Sequence, residues 1–271
     1  MADRKRRKNM KKWTGMILAG LCTALLAGCG GAPAATQDKG AVSSEKVLKV
    51  GTDADFPPFE YFQKETKTYT GFDVELVQDV AKNMGYDKVE FVDTDIRTIL
   101  DDLDAGKFDV AMRCLAITDA RKEKAAFTDP YLTGGYAVVA PASYSGSSDA
   151  ILKDRKLAVE KGSAPERLLR RMGYDNLKLT ATNEDALRRV ESGAADLAVM
   201  SKFTAAFYDA NGHGEKVKVL PGLEVGEAQP IGFAVRKQDE DFLKKLDAAL
   251  DDYKRTTNYE QLKKSYFGNL L

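Results

Sequence analysis

The chain has 271 residues, with 41 basic and 41 acidic side chains. Hydrophobic residues make up 44% and charged residues 30%, which excludes a disordered chain, a collagen and a multi-span membrane protein. The charges are unevenly spread, because residues 1–12 hold seven of the basic side chains and a single acid. The remainder is mildly acidic, and this argues against nucleic acid as a partner.

A targeting segment opens the chain. Its basic start is followed by sixteen uncharged, mostly apolar residues, 13–28, fewer than the roughly 20 that a membrane-spanning helix needs. A basic region before a short apolar run is typical of a secretory signal peptide, which we predict over residues 1–28. The run ends in Leu26-Ala27-Gly28-Cys29. This resembles the bacterial lipobox, in which the cysteine is lipidated; the alternative is a plain signal peptide with a chance cysteine.

Residues 29–45 are predicted to be the lipidated Cys29 and a flexible tether, because they are small, polar and without periodicity. After the signal peptide and Cys29, the chain contains one cysteine, Cys114, and one histidine, His213. These two cannot form a His/Cys metal cluster, so we predict no metal site. The sequence also lacks a Walker A loop, a G-x-G-x-x-G and a G-x-S-x-G, and we predict no cofactor.

Strands and helices alternate along the rest of the chain. Apolar runs predict strands at 47–51, 89–92, 109–115, 136–140, 157–159, 177–181, 197–200 and 217–220, and an extended segment at 231–236. Helical periodicity predicts helices at 73–84, after Asp95, after Thr118, and at 164–172, 184–192, 203–210, 239–254 and 259–266. This alternation favours two α/β lobes with mainly parallel sheets. In such sheets ligands bind at the carboxyl ends of strands, near helix N-termini.

An ordered set of short motifs carries a resemblance over about residues 46–268. The motifs are Gly51-Thr52-Asp53-Ala54-Asp55-Phe56-Pro57-Pro58-Phe59-Glu60-Tyr61, Gly71-Phe72-Asp73-Val74-Glu75-Leu76, Ala105-Gly106-Lys107-Phe108-Asp109-Val110, Ile117-Thr118 with Arg121, Phe127-Thr128-Asp129-Pro130-Tyr131, Gly162-Ser163, Gly193-Ala194-Ala195-Asp196-Leu197 and Tyr266-Phe267-Gly268. Together they resemble the family 3 extracellular solute-binding proteins of polar amino-acid ABC importers, in their lipoprotein form.

The resemblance implies the type II periplasmic-binding fold. In that fold two Rossmann-like lobes with mainly parallel sheets are joined by two crossover strands, and a ligand cleft lies between them. We place the crossings near residues 135–139 and 226–234. The first lobe is then 46–135 plus 230–271, and the second is 136–229.

The resemblance also implies ligand-binding residues. The position of Arg121 is where the family grips the ligand carboxylate, although a surface arginine is the alternative. Ser163-Ala164-Pro165-Glu166 forms a predicted capping box, whose helix N-terminus provides N–H groups for an anion. Phe56 stands at a position where the family often places an aromatic wall over the ligand; the alternative is a core phenylalanine. Asp53 either meets a cationic ligand group or is structural.

Several positions depart from the family pattern. Ala116 and Ala164 stand where hydroxylated residues are usual, and Ser201 stands where many members place the acid that receives the ligand ammonium. Arg113 and Cys114 occupy a stretch that is usually small and hydroxylic, and Ile96 takes a second wall position. Arg113 either contacts the ligand or is structural, paired with Asp109 or Asp129. Lys161 and Lys202 flank the same edge of the cleft.

We therefore expect a monomeric, exported lipoprotein that is anchored to the bacterial membrane and faces the periplasm or cell exterior. It would capture a small carboxylate-bearing solute, a polar amino acid or related organic anion, and deliver it to a membrane permease. Without the usual ammonium acceptor and with Arg113 added, the ligand is expected to carry more negative charge than a neutral amino acid, or to lack the α-ammonium. The alternative is that Asp53, Asp55 or Glu60 receives the ammonium of an ordinary polar amino acid. The alternatives are a dehydratase-like cleft enzyme with Glu160 as general acid, and a sensory lobe, against which the end of the chain at Leu271 argues.

Overall fold

The computed structural model describes residues 45–146, 152–212 and 215–269. The predicted signal peptide, the lipidation site Cys29 and almost all of the tether lie outside these residues, as does His213. Among the helices that are described, none combines the length and the apolar character needed to cross a bilayer.

The elements alternate as the sequence predicts. Their order is β1 (Val47–Thr52), β2 (Asp55–Phe56), β3 (Glu60–Gln63), β4 (Thr68–Thr70), α1 (Phe72–Asn83), β5 (Lys88–Asp93), α2 (Ile99–Asp104), β6 (Val110–Ala111), α3 (Asp119–Lys122), β7 (Ala126–Phe127), β8 (Leu132–Pro141), β9 (Leu157–Glu160), α4 (Ala164–Arg171), β10 (Leu177–Thr180), α5 (Asn183–Glu191), β11 (Leu197–Ser201), α6 (Lys202–Ala210), β12 (Val217–Ile231), β13 (Ala234–Val235), α7 (Glu240–Lys254) and α8 (Thr257–Phe267).

Two five-stranded sheets define two lobes. The first has the strand order β5-β1-β6-β13-β7, with β1 parallel to β5 and β6 and with β13 antiparallel to its neighbours. The second has the order β10-β9-β11-β8-β12, with β9 parallel to β10 and β11 and with β8 antiparallel to its neighbours. The predicted architecture of two α/β lobes with mainly parallel sheets is confirmed.

The long strands β8 and β12 pair with each other and connect the lobes. Their pairing runs from Leu132 opposite Ile231 to Pro141 opposite Val217. At one end, Leu132 and Ile231 pack in the core of the first lobe. Further along, Val138 and Val225 pack in a core of the second lobe. The exact lobe boundaries, at 135/136 and 229/230, stay a prediction.

Two local predictions are wrong. Asp95 does not cap a helix, because α2 begins only at Ile99 and the Asp95 carboxylate instead accepts hydrogen bonds from the backbone and side chain of Arg97. The strand predicted over 109–115 is only Val110–Ala111. A strand could not run through to residue 115, because Cys114 adopts a left-handed φ of 45°, which an extended strand cannot accommodate. The sequence analysis also missed the small antiparallel sheet β2-β3-β4.

Gly71 precedes α1 and is required by its backbone. Its φ is 127°, and a Cβ at this position would lie 2.3 Å from the carbonyl oxygen of Phe59. The sharp entry into α1 is what brings Asp73 beneath the site described below. Gly85 is a useful contrast, since it also has a positive φ, of 76°, but a Cβ there would meet no atom within 4 Å.

Gly71→Ala is expected to lower the free energy of unfolding by about 3 kcal/mol or more, because backbone strain and a backbone clash act together. Gly85→Ala, the matched control, is expected to cost about 1–2 kcal/mol from the left-handed conformation alone. Urea denaturation of both variants measures the difference. Equal losses would show that the contact with Phe59 does not constrain this turn.

Candidate ligand-binding site

A cavity of about 630 Å³ lies between the lobes, a volume in the range typical of small-molecule sites. Segments that follow β6 in the first lobe and β9 and β11 in the second provide its walls, so the carboxyl ends of parallel strands meet there. The candidate residues that line it are Phe56, Arg113, Cys114, Ala116, Arg121, Ser163, Ala164 and Ser201. Asp53 is the candidate that the structure does not place in the wall.

Arg121 belongs to the short helix α3. Thr118 begins this helix as predicted, because its hydroxyl accepts a hydrogen bond from the Arg121 N–H at 3.4 Å. The Arg121 guanidinium is half-buried, and its Nη1 donates to the Ala116 carbonyl at 2.9 Å. Burial lowers the pKa of Arg121, and the charges of Arg113 and Arg167 lower it further. Among the described residues no carboxylate forms an ion pair with Arg121, so this guanidinium can bind an anion in the cavity.

The N-terminus of α4 forms the opposite wall, and both side chains of its predicted capping box make hydrogen bonds, although Glu166 binds the N–H of Gly162 rather than that of the cap residue Ser163. The Ser163 hydroxyl accepts from the Glu166 N–H at 3.2 Å, and the Glu166 carboxylate accepts from the Gly162 N–H at 2.6 Å. Pro165 has no N–H to offer. These internal bonds leave the Ala164 N–H without a partner in the described part of the chain. The anion site expected at this helix end is therefore reduced to one backbone donor.

Arg113 is neutralised within the first lobe. Its Nε lies 3.2 Å from Asp53, its Nη2 lies 3.0 Å from Asp55, and its guanidinium lies 4.7 Å from the ring centre of Phe56. The predicted pairing of Arg113 with Asp109 or Asp129 is wrong. Asp109 pairs with Arg236 at 3.5 Å, and the described contacts of Asp129 do not include Arg113.

Asp53 lies behind the wall rather than in it. Its carboxylate pairs with Arg113 and accepts a hydrogen bond from the Ile96 N–H at 3.2 Å. Burial raises the pKa of Asp53, while Arg113 opposes that rise. These contacts favour the structural role for Asp53, which is to hold Arg113 and the Ile96 backbone in place.

Two buried carboxyl groups lie beneath Cys114 at the floor of the site. The Asp73 carboxylate accepts from the Cys114 N–H and from the Tyr131 hydroxyl, each at 2.8 Å. Glu60 is fully buried, and its carboxyl group lies within hydrogen-bonding reach of the Asp73 side chain. Burial raises the pKa of Asp73 to about 7, and burial together with the Asp73 charge raises the pKa of Glu60 well above its usual value. Glu60 does not line the cavity, so it is not placed to receive a ligand ammonium.

The Cys114 thiol is not a nucleophile. Burial and the neighbouring acids Asp73 and Glu60 raise its pKa well above the usual value, and this disfavours the reactive thiolate. Its side chain is a small, neutral part of the wall. The hydrogen bond that the Cys114 N–H donates to Asp73 stabilises the left-handed turn next to Arg113, whose guanidinium lies over Phe56.

An acid does lie in the wall, contrary to the expectation drawn from Ser201. Glu160 ends β9, lines the cavity, and accepts a hydrogen bond from the Asn183 amide. Burial raises its pKa, and the charge of Arg113 opposes this. Ser201 also lines the cavity, at the start of α6, but its side chain does not cap that helix. Lys161 lines the cavity, whereas Lys202 pairs with Glu224 at 2.9 Å.

The sequence analysis missed several wall residues, among them Arg167, Asn183, Tyr136 and Gln229. Only Arg167 had a usable signal, because residues three and four apart share a face of a helix and it follows Ser163 and Ala164 at those spacings. The others come from strands or helices whose contribution depends on how the second lobe packs. Ile96 lines the cavity as expected.

Residues 48–269 match the family described as bacterial extracellular solute-binding proteins, family 3. The chain belongs to this family. It is 29% identical to the arginine-binding extracellular protein ArtP of Bacillus subtilis (strain 168), over 95% of this chain and 98% of that protein. It is 32% identical to a probable histidine-binding protein of Neisseria gonorrhoeae, over 96% of each chain.

The solved structures agree with this assignment. An ancestral cationic amino acid solute binding protein is 35% identical, with a TM-score of 0.73, over 82% of this chain and 95% of that one. The predicted family, the solute-binding proteins of amino-acid-type ABC importers, and its two-lobed fold are confirmed.

Asp73 is expected to make the stability of the protein depend on pH. Because its pKa is raised from 3.8 to about 7 in the folded state, the folded chain holds a proton that the unfolded chain releases between these values. The contribution of Asp73 to stability is therefore complete below pH 3.8 and falls as the pH rises to about 7. Asp73→Asn keeps an oxygen acceptor for Cys114 and Tyr131 and cannot ionise.

We expect the unfolding free energy of Asp73→Asn to vary less with pH across this window. The unfolding free energy of Asp73→Asn minus that of wild type should be on the order of 1–3 kcal/mol larger at neutral pH than at acidic pH. Urea denaturation at several pH values measures this, with Asp241→Asn at an exposed position as the control. Parallel pH profiles for wild type and Asp73→Asn would contradict the assignment.

Proposed function

We propose that this protein is the substrate-binding component of an ABC importer, which captures an amino acid or a related carboxylate-bearing solute and delivers it to a membrane permease. The observation that carries the proposal is Arg121, a half-buried guanidinium in the cavity wall without a carboxylate partner among the described residues. A planar guanidinium fork suits a carboxylate, which it binds through two parallel hydrogen bonds.

In this proposal the α-carboxylate of the ligand binds Arg121, with the free Ala164 N–H as a second donor from the other lobe. The ligand ammonium lies toward Glu160, whose carboxylate Asn183 orients. Phe56 and Ile96 give the apolar wall. Because both lobes contribute groups, binding would favour closure of the lobes over the ligand.

The alternative function is an enzyme on the same fold, in which Glu160 would serve as the general acid. The curated relatives named above are binding proteins, and this supports capture without turnover. Recovery of the ligand unchanged after incubation with the protein is expected. Appearance of a product would favour the enzyme.

The proposal includes a lipid anchor at Cys29, at the end of an apolar segment in Leu26-Ala27-Gly28-Cys29. The tether would let the body stand off the membrane and reach the permease as a monomer. The family is described as extracellular, and this agrees with export.

Arg121→Ala is expected to weaken ligand binding by 100-fold or more, because it leaves a desolvated ligand carboxylate without its charged partner. Isothermal titration with a panel of amino acids measures the affinity, and circular dichroism should barely change. Lys122→Ala is the matched control, since it removes an exposed cation from the next position of the same helix. Binding of Arg121→Ala within threefold of wild type would show that the site is placed wrongly.

Cys29→Ala is expected to move the protein from the membrane fraction to the soluble fraction, or to leave its precursor uncleaved, because the acyl chains provide the membrane affinity. Fractionation followed by immunoblotting measures the distribution. A wild-type protein that is equally soluble would contradict lipid anchoring.

A further inference from the structure

Arg167 places a second guanidinium in the cavity wall, from the lobe opposite Arg121. It is the fourth residue of α4, and its Nη1 donates to the Gly162 carbonyl at 2.6 Å. This bond holds the exposed side chain along the loop that precedes the helix. Among the described residues no carboxylate pairs with Arg167, whereas Arg170 on the same helix pairs with Glu166 at 2.8 Å.

The two unpaired guanidinium groups act on one another. Both line the same cavity, and the charge of Arg167 is one of those that lower the pKa of Arg121. Like charges facing a shared cavity are unfavourable until an anion separates them. A ligand with negative charge at both positions would relieve this repulsion, and a ligand with one carboxylate would relieve it only in part.

The other charges in the wall do not offset these two. Arg113 is neutralised by Asp53 and Asp55, and Arg97 is neutralised by Asp95. Lys161 adds a further cation to the wall. Glu160 is the acid among the described wall residues, so the cavity has an excess of positive charge. Among the described wall residues, the charges that no ion pair neutralises are two guanidinium groups on opposite lobes, the Lys161 ammonium and the Glu160 carboxylate.

We propose that Arg167 is a specificity-determining residue that binds a second carboxylate of the ligand, so that the preferred substrates are acidic amino acids. Arg121 binds one carboxylate, Arg167 binds the other, and Glu160 faces the ammonium. This inference rests on the proposed function. It differs from the expectation drawn from Arg113, whose charge is already neutralised within the first lobe.

The test is a comparison of ligands that differ in one carboxylate. Glutamate and glutamine have nearly the same shape, and isothermal titration of the purified full chain measures the affinity for each. Wild type is expected to bind glutamate at least tenfold more tightly than glutamine. Arg167→Gln is expected to lose at least tenfold in affinity for glutamate and less than threefold for glutamine.

Two further variants separate a specific contact from a general charge effect. Arg189→Gln removes an exposed arginine of the same lobe that does not line the cavity, and its glutamate affinity should stay within threefold of wild type. Arg167→Lys keeps the charge and loses the planar fork, so its affinity for glutamate should lie between those of wild type and Arg167→Gln.

The outcomes distinguish this inference from the proposed function. Tighter binding of glutamine, arginine or histidine than of glutamate by wild type would overturn the acidic substrate class, as would equal losses for glutamate and glutamine in Arg167→Gln. Either result is compatible with the proposed function if Arg121→Ala still abolishes binding. If Arg121→Ala binds normally, the proposed function itself fails.

Discussion

The pairing of β8 with β12 is the constraint on which the two-lobed structure depends. These strands are long enough for one end to pack in the first lobe and the other in the second, through Leu132 and Ile231 at one end and Val138 and Val225 further along. The backbone hydrogen bonds between β8 and β12 therefore position the edges of the two sheets relative to the cavity. Gly134, which lies in β8 and lines the cavity, leaves the space that the ring of Phe203 fills, since a Cβ there would lie 2.7 Å from that ring.

Helix α6 adds a second link between the lobes. Phe203 packs against Phe59 and Phe267 in the core of the first lobe, with ring centres 5.5 Å apart in both pairs. Two residues later, Ala205 packs in a core of the second lobe. A change in the angle between the lobes must therefore be absorbed both by the paired strands and by this helix, and both lie next to the cavity wall.

The site separates charges that are neutralised inside the protein from charges that are not. Asp53 and Asp55 hold Arg113 over Phe56, so this cation stabilises the wall of the first lobe. Arg121 and Arg167 instead donate to backbone carbonyls, which position a guanidinium without cancelling its charge. An anionic ligand is the natural counter-charge for such groups, and this links the geometry of the wall to the chemistry of the substrate.

Local sequence chemistry was sufficient for the elements whose determinants lie close together in the chain. The apolar face of α1, the cap of α3 at Thr118 and the capping box of α4 follow from residues within one or two turns of a helix. The ordered motifs were sufficient for the family and for the position of Arg121. The cap predicted at Asp95 failed because the Asp95 carboxylate accepts the Arg97 N–H in a turn that precedes α2, and the helix begins only at Ile99.

The sequence by itself determined the α/β class and the family, and it predicts a targeting segment and Arg121 as the carboxylate anchor. The tertiary structure alone decided which acids neutralise Arg113, because Asp53 and Asp55 are about 60 residues away and the first sheet brings them together. It also decided that Arg167 stands in the cavity wall opposite Arg121. Charge pairing over such distances depends on how sheets and lobes pack, and no periodicity in the chain encodes it.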